Sequence, residues 1–157
     1  MACSGVSTGR VVPAAVLARR HSGGGVVVTA VGERIPERVA GVVYVAGMML
    51  PSETTFAEVC SEAGLSAPVG ISAHLRVDSH RGISTVRPAA GADTFFDAAS
   101  PTDAIAAAYR LAPPSERARQ EAPVWTPERF GPLPRLYIEA IRDRSVPIAA
   151  QRRMQHD

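Results

Sequence analysis

Two short stretches of the chain hold residues suited to covalent chemistry. The first is His21-Ser22-Gly23-Gly24-Gly25, placed where an apolar strand read at Ala14 to Ala18 meets a helix opening at the glycines. A serine on a tight strand-to-helix turn projects its hydroxyl above a sheet. Small neighbours avoid clashes there, and the backbone N–H of the next residue, Gly23, points with the helix dipole at a developing oxyanion. The spacing this turn asks for is G-x-S-x-G, and Arg20 occupies the first glycine position. A Ser-Gly-Gly-Gly run suits equally well a flexible loop that merely opens a helix. A phosphate cradle is the weakest reading, because neither G-x-G-x-x-G nor a Lys-bearing P-loop is present. The second stretch is Arg142-Asp143-Arg144, just after a strand-like run, at the carboxyl edge where α/β sheets place their sites. A solvated carboxylate between two arginines is the alternative there.

A serine nucleophile needs a base, and the chain holds four histidines. His21 adjoins Ser22. His74 and His80, with Asp78 between them, read as a variable loop rather than as a metal site. His156 is the only histidine after Asp143; it falls near the end of a helical stretch and reads as a surface residue. Neither a metal nor another cofactor is implied.

The elements that must position these groups read as α/β. A small apolar run from Gly23 to Val31 is followed by the punctuation Gly32-Glu33-Arg34-Ile35-Pro36-Glu37-Arg38, then by Val39-Ala40-Gly41-Val42-Val43-Tyr44-Val45-Ala46. That order gives helix, turn and buried strand, the last apolar without alternation as in parallel sheets covered by helices. Further helices are expected from Thr54 to Ala63, closed by Gly64; from Thr102 to Leu111, capped by Ser100 or Thr102 and stopped by Pro113-Pro114; around Ser115 to Glu121; and from Pro147 to Met154. Ser66 to Gly91 is left unassigned, and Arg135 to Ala140 reads as a strand. Two pieces of core, 21–51 and 131–157, are thus separated by an insertion at 52–130, about 80 residues and long enough to form a helical cap. Residues 1–20 stand apart as an atypical amino-terminal segment.

Length and composition narrow the rest. The 157 residues, 46% hydrophobic and 20% charged, suffice for one domain with a real core. Seventeen basic groups against fifteen acidic ones give no concentrated basic face for nucleic acid. Cys3 and Cys60 form neither a metal pattern nor a disulfide framework, so a reducing cytoplasm is the default. The longest apolar stretch, Val39 to Leu50, is too short to span a bilayer.

The runs His21-Ser22-Gly23-Gly24, Glu33 through Ala46 to Leu50-Pro51, and Pro134 to Ala140 with Arg142 to Pro147 and Gln151 to Met154 together resemble α/β-hydrolase fold esterases. The nearest branch is that of the methylesterases, salicylate esterases and hydroxynitrile lyases. The resemblance implies a partial α/β-hydrolase fold, a mostly parallel sheet with flanking helices and a helical cap insertion. It implies Ser22 as nucleophile, Asp143 as triad acid and the Gly23 amide as one oxyanion donor, acting on a small-molecule ester. It also implies a catalytic histidine on a later loop and a second oxyanion donor earlier in the chain, so the sequence is expected to be truncated at both ends and of low or no activity. Exposed sheet edges at the two ends would then favour a homo-oligomer. Ala18-Arg19-Arg20-His21 and the Leu-Val-Gly-His typical of such elbows can be encoded by strings that differ by one lost C, so Met1 to Arg20 are expected to be read from a shifted frame. An inactive remnant or small-molecule binding protein is the alternative. A hydroxynitrile lyase-like activity ranks third, because that chemistry often uses a cap Lys and this chain contains none.

Overall fold

The computed structural model describes residues 15–156; Cys3 and Ala14 lie outside them. Strand β1 (Val16–His21) leads through Ser22 and Gly23 into helix α1 (Gly24–Arg34), and a short 3-10 turn at Pro36–Arg38 returns the chain to strand β2 (Val39–Val45). The strand expected at Ala14 to Ala18 therefore lies further along, running straight into the elbow. Arg19, Arg20 and His21 are all exposed and continue the ladder, pairing with Val43, Tyr44 and Val45. An edge strand accepts such side chains because part of its surface stays in water.

Strand β5 (Arg135–Ile138) adds to the other side of β2, also parallel, in the order β1-β2-β5. In this ladder His21, Val45 and Ile138 stand level. The residues that follow β1 and β5 therefore emerge from the same, carboxyl edge. Only β2 is largely buried, as its unbroken apolar run requires; β1 and β5 are mostly exposed. On one sheet face Val42 and Tyr44 pack with Val28 of α1, Val39 and Phe130. Alternate residues project to the other face, where Val45, Leu136 and Ile138 are exposed.

The segment between β2 and β5 is mixed rather than purely helical. Helix α2 (Phe56–Glu62) opens on Thr55, which exchanges hydrogen bonds with Glu58 in a capping box, and closes at Gly64 with φ of +73°. Within the stretch that resisted assignment, a 3-10 turn (Gly70–His74) leads to a hairpin of β3 (Leu75–Asp78) and β4 (Ile83–Val86), then to helix α3 (Pro88–Phe95). These strands are four residues each, too short for a clear alternation signal. Helix α4 (Pro101–Ala108) is capped by Ser100, whose side chain accepts from the Asp103 amide, and α5 (Glu116–Arg119) is a single turn. Helix α6 (Ile148–Arg153) and the residues flanking it pack Val146, Ala150 and Met154 against Leu50, Val59 and Cys60.

Candidate active site

Ser22 sits at the mouth of the β1–α1 turn with φ of +49°. This left-handed conformation is sparsely occupied by residues with a Cβ and costs about 1–3 kcal/mol, strain that tends to gather at functional sites. Among the described residues it is held by backbone bonds alone. The Ser22 amide donates to the Val45 carbonyl at 3.4 Å, and the Ser22 carbonyl accepts from the amides of Gly25 at 3.0 Å and Met48 at 2.9 Å. Ala46, the first residue past β2, is also left-handed at φ +42°, so two strained non-glycine residues adjoin at one sheet edge.

Each glycine of the run has a different local role. At Gly25 an ideal Cβ would stand 2.5 Å from the Met48 carbonyl oxygen, so only glycine lets the helix start this close to the loop after β2. At Gly24 a Cβ would meet the Cβ and Cδ of Arg20 at 3.2 Å. The crowding expected from Arg20 at the consensus glycine position is therefore relieved by the space that Gly24 leaves. Gly23 has open space around its Cα, and among the described residues its amide donates to no acceptor. The group expected to meet an oxyanion is free to do so.

Asp143 emerges from the same edge, five residues past the end of β5. It does not lie loose between its arginine neighbours. Arg144 reaches away, to the Asp97 carboxylate at 3.2 Å and the Asp93 carbonyl at 3.0 Å. One carboxylate oxygen of Asp143, Oδ1, accepts from the amides of Ser145 at 2.7 Å and Val146 at 2.9 Å. Among the described residues the other oxygen, Oδ2, accepts no hydrogen bond. Half of the carboxylate orders its own loop and half is available.

A buried polar web ties the two stretches together. Thr29 Oγ1 lies 2.6 Å from the Tyr44 hydroxyl and 3.0 Å from the Gly25 carbonyl, binding α1 to β2 just behind the elbow. Tyr44 stacks on Tyr137 of β5, rings 6.3 Å apart and inclined by 13°. The Tyr137 hydroxyl donates to the Gly47 carbonyl at 2.9 Å, one residue before the amide that holds Ser22. Burial, with the nearby charges of Asp143 and Glu139, raises the Tyr137 pKa well above the phenol range; burial also raises that of Tyr44, offset in part by Thr29 and Arg135. Both phenols thus stay neutral as hydrogen-bonding groups. No motif announced this web; the signal was the recurrence of Thr29, Tyr44 and Tyr137 in otherwise aliphatic runs.

The histidines stay apart from these groups. Among the described residues, no histidine hydrogen-bonds Ser22 or Asp143. His21 is an exposed strand residue, and His156 is exposed after α6. Asp78 Oδ1 accepts from the amides of His80 and Arg81, closing the hairpin turn, while the rings of His74 and His80 lie in exposed residues. Among the described residues no group of three acidic, histidine or cysteine side chains is arranged to hold a metal ion.

The large apolar side chains of 52–130 divide between core and surface. Phe56 and Leu65 pack against the α2–α6 core, and Trp125 rests on Phe130 at 5.4 Å with its indole N–H donated to the Leu50 carbonyl. Phe95 is half-exposed, and Phe96 borders an open groove of about 490 Å³ with Asp103, Arg110 and Leu111. A second groove, of about 250 Å³, runs between β1 and α1 along Leu17, Arg20, Val27 and Val31. Neither includes Ser22 or Asp143.

No protein-family profile and no curated protein matches the chain. Solved structures do match it. The chain is similar to polyneuridine aldehyde esterase (22% identity, TM-score 0.66, 90% of this chain and 58% of that one). It is also similar to a pyrethroid hydrolase from Sphingobium faniae JZ-2 (21% identity, TM-score 0.70, 92% and 58%). A third is tomato methylketone synthase I complexed with 2-tridecanone (19% identity, TM-score 0.65, 89% and 57%). The chain thus spans less than three fifths of the length of each. With the parallel sheet, the flanking helices and the strained turn into α1, these likenesses establish that the chain forms part of an α/β-hydrolase fold.

Proposed function

We propose that the chain carries the nucleophile and acid of a serine carboxylic-ester hydrolase, acting on a small-molecule ester, with the histidine base supplied from outside the described residues. The observation that carries this reading is the left-handed Ser22 between a parallel strand and a helix, beside the unoccupied Gly23 amide. In the reaction the Ser22 hydroxyl attacks the ester carbonyl carbon while a base takes its proton. The tetrahedral oxyanion faces the Gly23 N–H, and its collapse releases the alcohol, which takes the proton back from the base. Water, activated by the same base, then hydrolyses the acyl-serine. Asp143 Oδ2 is the oxygen suited to orient the base, since Oδ1 is engaged by its own loop. Residues 52–130 serve as a cap over the site, with Phe95 and Tyr109 as its exposed aromatics.

The missing base sets the experiment. Free imidazole can stand in for an absent histidine, so p-nitrophenyl acetate hydrolysis is measured across an imidazole series in the 157-residue chain and in Ser22→Ala. A saturable, imidazole-dependent rate present only with Ser22 supports the reading; identical rates in the two proteins overturn it. Identical rates with ester still bound would favour the second reading, a non-catalytic small-molecule binding protein. That alternative draws on one observation, that no described histidine bonds to Ser22 or Asp143. The lyase reading ranks below both, for want of any Lys.

Two further proposals concern the setting. No helix among the described residues is long and apolar enough to cross a membrane, and with only two cysteines a cytoplasmic location is the reading we favour. The exposed Val45, Leu136 and Ile138 on one sheet face, with Val16 and Leu17 on the β1 edge, support self-association. Size-exclusion chromatography showing a monomer at all concentrations would refute it.

A further inference from the structure

We infer that Gln151 is a positioning residue for Asp143, its side-chain amide closing the acid loop into a fixed ring; the inference rests on the reading of Asp143 as triad acid. Gln151 stands in the middle of α6 and is 0% exposed, an unusual place for a glutamine, since a buried amide must find partners for all of its polar atoms or lose the hydrogen bonds that water gave it. Every partner it finds lies in the acid loop. Its Oε1 accepts from the Ala140 amide at 2.9 Å, and its Nε2 donates to the carbonyls of Ala140 at 2.9 Å and Val146 at 2.7 Å. One planar group therefore grips both ends of the segment 140–146.

Inside that ring the remaining bonds converge on Asp143. Its amide donates to the Ala140 carbonyl at 3.1 Å, the same oxygen that Gln151 holds. Its Oδ1 accepts from Ser145 and Val146, and the Val146 carbonyl is the other oxygen Gln151 holds. The loop is also backed from 52–130, where Gly70, at φ +56°, packs its Cα against the Ser145 carbonyl so tightly that no Cβ would fit. The carboxylate is thus oriented by two backbone amides whose own positions are set by Gln151. An apolar residue of the same size at 151 would fill the space, leave the Ala140 amide and the Val146 carbonyl unpaired and the Ala140 carbonyl with the Asp143 amide alone, and so let the loop turn the carboxylate. A loss of orientation of that kind can cost a site about tenfold to a hundredfold in rate.

Gln151→Met removes the three bonds at nearly constant volume. In amide hydrogen exchange on the whole chain, protection of the Ser145 and Val146 amides should fall at least about tenfold more than that of Val42 and Ala46, which bond within the sheet. An equal change at both sets, or none, would overturn the inference. Imidazole-supported p-nitrophenyl acetate hydrolysis supplies the second reading: kcat should fall about tenfold with KM unchanged, and by no further factor when Asp143→Asn is also present. Losses that multiply would mean that Gln151 acts on stability alone, and would also overturn it. Should Gln151→Met fail to fold, Gln151→Asn keeps the amide but shortens its reach, and is carried through the same measurements. A rate indifferent to Ser22→Ala would defeat the esterase reading while leaving the exchange experiment to decide whether Gln151 holds Asp143.

Discussion

The elbow and the acid loop leave the same edge of one sheet, yet they are held by different means. Ser22 is fixed by main-chain bonds and by the absence of side chains: three backbone hydrogen bonds, and a Gly25 that lets the Met48 backbone come close. Asp143 is fixed by side chains, chiefly the Gln151 amide and the ring of bonds it closes. The difference teaches where each region can change. An elbow built of backbone tolerates new side chains wherever they find room, even an arginine, and fails where a single methyl cannot fit. A loop built on one amide tolerates arginines on either side of the aspartate and depends on a distant glutamine.

The sharpest break should come at Gly25. An alanine there places its Cβ 2.5 Å from the Met48 oxygen and 2.6 Å from its nitrogen, both main-chain atoms with little room to yield. Gly25→Ala should cost about 3 kcal/mol or more in urea unfolding, at the upper end for forced overpacking. Gly23→Ala, with open space and φ of −56°, should stay within about 1 kcal/mol. Equal costs at the two glycines would remove the claim that close backbone approach sets the elbow.

Alkali should next distinguish the acid-loop side. Cys60, 3% exposed and packed in the cluster that includes Val146, has its thiol pushed up by burial from 9.0 to about 11. A raised folded-state pKa means the unfolded thiol ionises first. The stability from this group is therefore fully present below pH 9 and is lost as pH rises through about 11. The loss should reach on the order of 2–3 kcal/mol. Unfolding free energies measured at pH 8, 9, 10 and 11 should decline over that window, and Cys60→Ala should flatten the decline; an unchanged slope in the variant would clear Cys60 of the effect. Smaller still is Tyr137→Phe. It removes the hydroxyl bond to Gly47 that joins the two regions and should cost about 1 kcal/mol in the same unfolding assay, the usual net worth of one hydrogen bond.

The legible parts of the sequence were those written in local chemistry. Ser100 capping α4, Gly64 closing α2 and the turn at Pro36 each act within a few residues, and each element stands close to where it was expected. The unbroken apolar run at Val39 gave β2 for the same reason. Strand β1 stands further along than Ala14 to Ala18 because it takes in Arg19, Arg20 and His21, whose side chains are exposed; among the described residues β1 pairs on one side only, with β2, a setting no local pattern encodes. The hairpin at 75–86 escaped because its strands are too short for their alternation to be seen. Of the candidate site, Ser22 and Asp143 could be picked out by motif and by position after a strand. The groups that hold them could not, because Gln151 and Tyr137 act through contacts made only once the chain has folded.

The finest comparison lies within the elbow, between Arg20 and Gly24. Arg20 breaks the consensus, and Gly24 keeps it; the structure makes the two a compensating pair, since a Cβ at 24 would sit 3.2 Å from two Arg20 side-chain carbons. The neighbour is a flexible, exposed side chain rather than backbone, so the penalty is small. Arg20→Gly alone should cost about 0.5–1 kcal/mol, the usual price of glycine inside a strand. Gly24→Ala should be unfavourable in the native background and close to neutral or better once Arg20 is glycine, where the helix gains from alanine. The double-mutant cycle should give a favourable coupling of about 0.5–1 kcal/mol. Strictly additive effects would show that Arg20 swings clear of its own accord and that Gly24 is needed for another reason; a coupling of the expected sign explains how an elbow can carry an arginine where its spacing asks for glycine.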